Sequence, residues 1–150
     1  MKEGGPILLC EDSPYDVELT CDALARVRVG NAIDVARDGA EALDYLFRRG
    51  AFSARAPGNP VLVLLDLKMP RVDGLEVLRA IRGDAALKTI PVVVLTSSRE
   101  EPDVAASYQL GVNAYVVKPV DAEQFVDAVG KLGLFWLVVN EPPPVSSAPG

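Results

Sequence analysis

Residues 61–65 form an unbroken run of branched aliphatic side chains that ends on the carboxylate of Asp66 and is bounded by Pro60 and Pro70. A short, continuous apolar run is typical of a strand buried on both faces, as in a parallel sheet covered by helices. Asp66 would then lie where the strand leaves the core, at the carboxyl end where open α/β sheets bind ligands. The alternative interpretation is that Asp66 only starts a turn or caps a helix.

The rest of the chain repeats this unit, a short apolar strand followed by an amphipathic helix. The predicted strands are residues 7–10, 32–36, 61–65, 90–95 and 113–117. The predicted helices run from Pro14 to Gly30 and Asn31, over residues 39–49, 75–82 and 101–110, and from Asp121 to about Asn140. This alternation predicts an α/β fold with a doubly wound, five-stranded parallel sheet and helices on both of its faces.

Helix starts and inward faces can be assigned from single residues. Ser13 before Pro14 indicates a helix start, and Asp121 followed three positions later by Gln124 forms a pair resembling a capping box. The residues predicted to face inward from the second and third helices are Ala42, Leu43, Leu46, Phe47, Leu75, Leu78 and Ile81.

Composition excludes several classes of protein. The 150 residues suit one domain, which we expect to span residues 1–140 and to be followed by a disordered, proline-rich tail at 141–150, with no output domain. A net charge of −6 argues against a nucleic-acid-binding surface. Because no apolar run is long enough for a membrane and no signal peptide is present, the expected location is the cytoplasm. The chain contains no histidine, which excludes Ser-His-Asp triads and most zinc sites.

Polar residues follow four of the predicted strands, and in a parallel sheet these positions share one edge. They are Glu11 and Asp12 after the first strand, Asp66 after the third, Thr96 after the fourth and Lys118 after the fifth. Three carboxylates brought close together resist joint ionisation unless a cation lies among them. Oxygen donors of this kind suit Mg²⁺. The sequence therefore predicts a magnesium site at this edge.

A carboxylate beside Mg²⁺ can attack a phosphoryl group and form an acyl phosphate. Asp66 is central and is assigned as the acceptor, while Glu11, Asp12 and the backbone carbonyl of Lys68 would hold the metal with it. Lys118 would neutralise charge on the transferred oxygens, and the hydroxyl of Thr96 would donate a hydrogen bond to one of them.

Together these motifs resemble the receiver domain of two-component response regulators. The resemblance rests on Glu11-Asp12, Asp66-Leu67-Lys68-Met69-Pro70 with Asp73-Gly74, Thr96, and Lys118-Pro119, and it covers about residues 7–134. It implies the strand order 2-1-3-4-5, phosphotransfer to Asp66 from a histidine of a partner sensor kinase, and a cis peptide bond before Pro119. It also implies that Tyr115 is a switch aromatic that moves together with Thr96. The plainer interpretation is a half-buried tyrosine on an edge strand.

A narrower resemblance concerns stand-alone regulators that partner bacterial and cyanobacterial phytochrome histidine kinases. It rests on the long loop at residues 48–60, on Ala105-Ala106-Ser107-Tyr108 and on Phe135-Trp136. It implies a homodimer formed through the fourth helix, fifth strand and fifth helix. The expected dimer surface is Leu134, Phe135, Trp136 and Leu137, although this end of the chain could instead pack onto its own sheet.

Other functions remain open at this point. An aspartyl-nucleophile phosphohydrolase of the haloacid dehalogenase type uses similar groups, but its nucleophile ends the first strand. A flavodoxin needs a phosphate-binding loop where this chain has Glu11 and Asp12. A phosphorelay intermediate, or a receiver that signals by binding alone, would share the fold. We expect a magnesium-dependent phosphoacceptor that is not a turnover enzyme.

Overall fold

The computed structural model describes residues 5–97, 102–112 and 114–134. Five parallel strands form one sheet in the order β2-β1-β3-β4-β5, so the predicted fold class and strand order are confirmed. The strands are β1 (Ile7–Cys10), β2 (Ile33–Ala36), β3 (Leu62–Asp66), β4 (Val92–Thr96) and β5 (Ala114–Val117).

Each strand is followed by a helix. The helices are α1 (Pro14–Arg26), α2 (Gly39–Phe47), α3 (Gly74–Gly83), α4 (Pro102–Gln109) and α5 (Ala122–Lys131). Four of the helix starts have a side-chain cap, and the capping residues are Ser13, Asp38, Asp73 and Asp121. The caps accept otherwise unpaired backbone N–H groups and fix where each chain segment turns away from the sheet.

Two helices, α1 and α2, end earlier than predicted because an arginine adopts a left-handed backbone. After Arg26, Arg28 has φ 62°, so α1 stops before Gly30 and Asn31. Arg48, with φ 54°, ends α2 at Phe47 instead of at Arg49. Arginine gives no sequence signal for this conformation, which is uncommon for residues other than glycine.

Buried apolar side chains cover both faces of the sheet, but one predicted inward position is wrong. Phe47 is 39% exposed and lies under the guanidinium of Arg49, whereas Tyr45 is only 1% exposed. The hydroxyl of Tyr45 donates to Asp34 Oδ2 at 2.6 Å, which satisfies its polar tip and allows the ring to be buried. In α3, Val77 is buried and was not predicted, while Leu75 is only partly buried.

The fifth helix differs from the continuous helix predicted to reach Asn140. It ends at Lys131, and Gly133 has φ 73° while Leu134 N donates to Val129 O at 2.8 Å. This is the glycine-terminated end of a Schellman motif. Leu134 packs partly buried against the core of its own chain, and Phe135, Trp136, Leu137 and the tail at 141–150 lie outside the described residues. Within the described part of the chain, no helix is both long and apolar enough to cross a bilayer.

Candidate functional site

The carboxyl ends of β1, β3, β4 and β5 lie side by side, and this register brings the strand-end residues together. Asp66 is the last residue of β3, Glu11 directly follows β1, and Lys118 directly follows β5. Lys118 Nζ lies 3.2 Å from Asp66 Oδ2 and 3.2 Å from Glu11 Oε1. Three residues that are far apart in the sequence therefore form one charged cluster.

Asp16 belongs to this cluster and was missed in the sequence. Its Oδ2 lies 3.1 Å from Lys118 Nζ. Its backbone N–H donates to the capping hydroxyl of Ser13 at 3.2 Å, which places Asp16 in the first turn of α1. The start of α1 agrees with the prediction from Ser13 and Pro14, but only the fold shows that this first turn lies beside the end of β1.

The cluster contains carboxylates withdrawn from water. Glu11 is fully buried and Asp66 is 3% exposed, whereas Asp12 is exposed. One oxygen from each of these three residues lies within 4.8 Å of the others, which is a spacing that allows a shared metal ion. Carboxylate oxygens are the ligands that hard divalent cations prefer, so the donor set fits such an ion.

Electrostatics also favour a cation at this position. Burial, followed by the charge of Asp66, raises the pKa of Glu11 to about 7, although Lys118 opposes that shift. Burial lowers the pKa of Lys118, but Asp66, Asp16 and Glu11 more than offset this effect, so its pKa is raised and the side chain stays charged. One ammonium group therefore faces three carboxylates, and the site still holds an excess of negative charge.

The loop between β3 and α3 is held by close backbone contacts. Lys68 N donates to Asp66 Oδ1 at 3.0 Å, which orients the carboxylate, and the side chain of Lys68 is exposed. Arg71 has φ 70°, and its Nε lies 3.2 Å from Asp38 Oδ2 at the start of α2. Gly74 N donates to Leu67 O at 3.0 Å, so α3 begins directly against the residue that follows Asp66.

Gly74 has no room for a side chain, and we expect Gly74→Ala to destabilise the protein by about 3 kcal/mol. An added Cβ would lie 2.5 Å from Asp66 O and 2.5 Å from Leu67 Cα, both of which are backbone atoms. Gly83, at the other end of the same helix, has nothing within 4 Å of such a Cβ. Gly83→Ala is the matched control and is expected to gain about 0.5–1 kcal/mol. Urea unfolding measures the stability of both variants. Equal changes in the free energy of unfolding would contradict the close contact between Gly74 and the backbone of Asp66 and Leu67.

The remaining predicted residues lie near this edge of the sheet. Thr96 ends β4 and is 3% exposed. Tyr115 lies half-buried on the edge strand β5, and its ring packs edge-on against Tyr108 with centroids 6.0 Å apart. The peptide bond between Lys118 and Pro119 is cis, as the resemblance implied. The switch role of Thr96 and Tyr115 stays a prediction.

Comparison with known sequences gives a family match over most of the chain. Residues 7–130 match the profile described as the response regulator receiver domain. The response regulator Rcp1 of Synechocystis sp. is 41% identical over 131 residues, which cover 87% of this chain and 88% of Rcp1.

Solved structures with similar folds carry related names. The bacteriophytochrome response regulator RtBRR is 61% identical, with a TM-score of 0.84 over 93% of this chain and 84% of its own. The Mn²⁺-bound form of Rcp1 is 39% identical, and the match covers 93% of this chain and 99% of Rcp1 with a TM-score of 0.73. The phosphorylated cyanobacterial phytochrome response regulator RcpA is 38% identical, and the match covers 94% of this chain and 99% of RcpA with a TM-score of 0.73.

Proposed function

This chain belongs to the response regulator receiver domain family, and on that premise we propose that Asp66 accepts a phosphoryl group from a partner histidine kinase in a Mg²⁺-dependent reaction. The observation that carries this assignment is the position of Asp66. Its carboxylate is 3% exposed and is held between Lys68 N at 3.0 Å and Lys118 Nζ at 3.2 Å. A carboxylate fixed at both oxygens and next to a cation is oriented for attack on phosphorus.

The proposed metal ligands are carboxylate oxygens of Glu11, Asp12 and Asp66, together with the backbone carbonyl of Lys68. Such an ion would supply positive charge to the non-bridging oxygens of the transferred group. The support for Mg²⁺ is the all-oxygen donor set around a partly open site. The Mn²⁺-bound structure of Rcp1 establishes a divalent ion for that relative.

Three side chains of this chain would take part in the phosphoryl transfer, those of Asp66, Lys118 and Thr96. An oxygen of Asp66 bonds to phosphorus as the P–N bond to the donor imidazole breaks, and the electron pair stays on that nitrogen. Lys118 neutralises charge on the phosphoryl oxygens, and the hydroxyl of Thr96 donates to one of them. None of the 150 residues is a histidine, so the donor we propose is a histidine of the partner kinase.

The partner we propose is a sensor kinase of the phytochrome type. The support is the similarity to RtBRR and RcpA, whose names connect them to phytochromes. A groove of 460 Å³ between α1 and the segment at 119–123 offers a docking place beside Lys118. Its lining includes the apolar side chains of Leu19 and Val120. Three acidic residues, Asp22, Asp121 and Glu123, outnumber one basic residue, Arg26, so the groove suits a helix with apolar and basic side chains.

We also propose a homodimer formed through α4, β5, α5 and residues 134–137. The support is the apolar sequence at these last positions and the exposed ring of Tyr108 on α4. Sedimentation equilibrium tests the dimer, and a monomer at every concentration would contradict it.

Phosphorylation of the intact protein tests the main proposal. Acetyl phosphate with Mg²⁺ is expected to add about 80 Da, the mass of one phosphoryl unit, and a chelator in place of Mg²⁺ is expected to prevent the addition. Intact-mass spectrometry measures both. Continuous hydrolysis of a generic phosphate ester, without a stable adduct, would instead indicate a phosphohydrolase.

A further inference from the structure

Gln124 pairs with the edge strand β5 as a backbone segment would. Its Oε1 accepts a hydrogen bond from Val117 N at 2.9 Å, and its Nε2 donates to Val117 O at 2.9 Å. Within the described residues, β5 is an outer strand whose only strand partner is β4. The primary amide therefore satisfies both outward-facing backbone groups of Val117, at the place where a sixth strand would bind.

The same side chain also contacts the turn that follows. Nε2 lies 3.3 Å from Pro119 O and 3.4 Å from Asp121 Oδ2, while the backbone N–H of Gln124 donates to Asp121 Oδ1 at 2.8 Å. One amide thus bridges the residue before Lys118 and the residue after it. The capping-box-like pair predicted from the sequence is half formed, because Asp121 caps the helix while the Gln124 amide reaches mainly to β5 and the turn.

Lys118 is consequently held from two sides. Its backbone N–H donates to Thr96 O at 2.7 Å on the β4 side, and Gln124 holds the flanking backbone on the α5 side. Lys118 Nζ reaches Glu11, Asp16 and Asp66 at 3.1–3.2 Å. A lysine side chain is long and flexible, so the position of its Nζ among three carboxylates depends on where its backbone is fixed.

We propose that Gln124 is a positioning residue for Lys118 and that it controls the rate at which Asp66 is phosphorylated. This inference rests on the proposed function, since it acts through the same lysine. Displacement of Lys118 would weaken charge neutralisation at the phosphoryl oxygens without removing any group that contacts them. Residues that orient metal ligands through hydrogen bonds typically change activity by roughly 10- to 100-fold when they are lost, and we expect an effect at the lower end of that range for a residue that orients a lysine.

A double-mutant cycle separates positioning from simple stabilisation. Gln124→Met keeps the length of the side chain but loses all of its amide contacts, and it is expected to slow adduct formation from acetyl phosphate roughly tenfold. In a Lys118→Ala background the same substitution is expected to have almost no further effect, because the group it positions is gone. Equal slowing in both backgrounds, or no slowing in the parent, would overturn the proposal. Thermal unfolding checks that each variant is folded, and Gln124→Glu, which loses the donor to Val117 O, replaces Gln124→Met if that variant does not fold.

A spectroscopic readout and a control complete the test. The ¹³Cε–¹Hε signal of Lys118, assigned by its absence in Lys118→Ala, is expected to shift in Gln124→Met without any phosphodonor. Asn59→Ala removes a comparable amide contact, Nδ2 to Ala86 O at 2.7 Å, near the opposite ends of β3 and β4, and it should change neither the signal nor the rate. An unchanged Lys118 signal in Gln124→Met would overturn the positioning role. Absence of an adduct on the parent protein would count against the proposed function instead, and the signal would still test the positioning.

Discussion

Asp66→Asn is expected to abolish phosphorylation while leaving the fold intact. The amide of asparagine has nearly the shape of the carboxylate but cannot act as the nucleophile. Lys118 keeps Glu11 and Asp16 as partners at 3.2 and 3.1 Å, and removal of one of three clustered carboxylates relieves repulsion. Intact-mass spectrometry after incubation with acetyl phosphate and Mg²⁺ should show no adduct, and thermal unfolding at pH 8 should show no loss of stability.

Asp44→Asn is the matched control for this substitution. Asp44 pairs with Arg49 on the exposed surface at 2.9 Å, so the same chemical change there should leave phosphorylation at the parent level. An adduct of parental yield on Asp66→Asn would place the phosphoryl group on another side chain and contradict the assignment.

The second large effect is expected for Glu11→Gln, which should make the metal-free protein more stable at pH 8. The pKa of Glu11 is raised from 4.5 to about 7 by burial and by Asp66, so the folded state binds this proton more tightly than the unfolded state does. Stability from this group is therefore present below about pH 4.5 and is lost as the pH rises to about 7. The corresponding decrease in the free energy of unfolding is at most about 3 kcal/mol. Urea unfolding in a chelator should show this decline for the parent and a smaller one for Glu11→Gln.

The same substitution should remove the response to the metal. At pH 8, Mg²⁺ is expected to raise the melting temperature of the parent, because an ion that binds only the folded state stabilises it. Glu11→Gln should lose most of that rise in melting temperature, since a neutral amide replaces one of the three carboxylates proposed to bind the metal, those of Glu11, Asp12 and Asp66. Glu18→Gln, on the exposed surface of α1, is the control and should behave like the parent. A Glu11→Gln protein that is less stable than the parent at pH 8 would contradict the electrostatic account.

Much of the site could be predicted because most of its residues lie at the carboxyl ends of strands. The apolar runs before Glu11 and Asp66 mark buried parallel strands, and the polar residues that follow them must then lie at one edge. The contacts of Asp16 and Gln124 with the site could not be predicted in this way, because both residues lie in the first turns of helices, α1 and α5, and not at the ends of strands. Their side chains reach across to Lys118 and to Val117, and only the packing of helix against sheet decides such contacts.

The errors in the fold prediction also have local causes. Phe47 and Tyr45 are two positions apart on α2, and apolar character alone favoured Phe47 for the core. The hydrogen bond from Tyr45 to Asp34 reverses that choice, but it joins residues eleven positions apart through the fold. Arg28 and Arg48 end their helices in the left-handed conformation without the glycine or asparagine that would have signalled it.

Chemical trapping of the phosphorylated protein tests the central claim most directly. Borohydride reduces an aspartyl phosphate to homoserine, so peptide mapping after the reaction with acetyl phosphate and Mg²⁺ reports which residue carried the group. We expect homoserine at position 66 and at no other aspartate, and none when Mg²⁺ is replaced by a chelator. Homoserine at Asp12 or Asp16 instead, or a phosphorylated protein that yields no homoserine, would contradict the account.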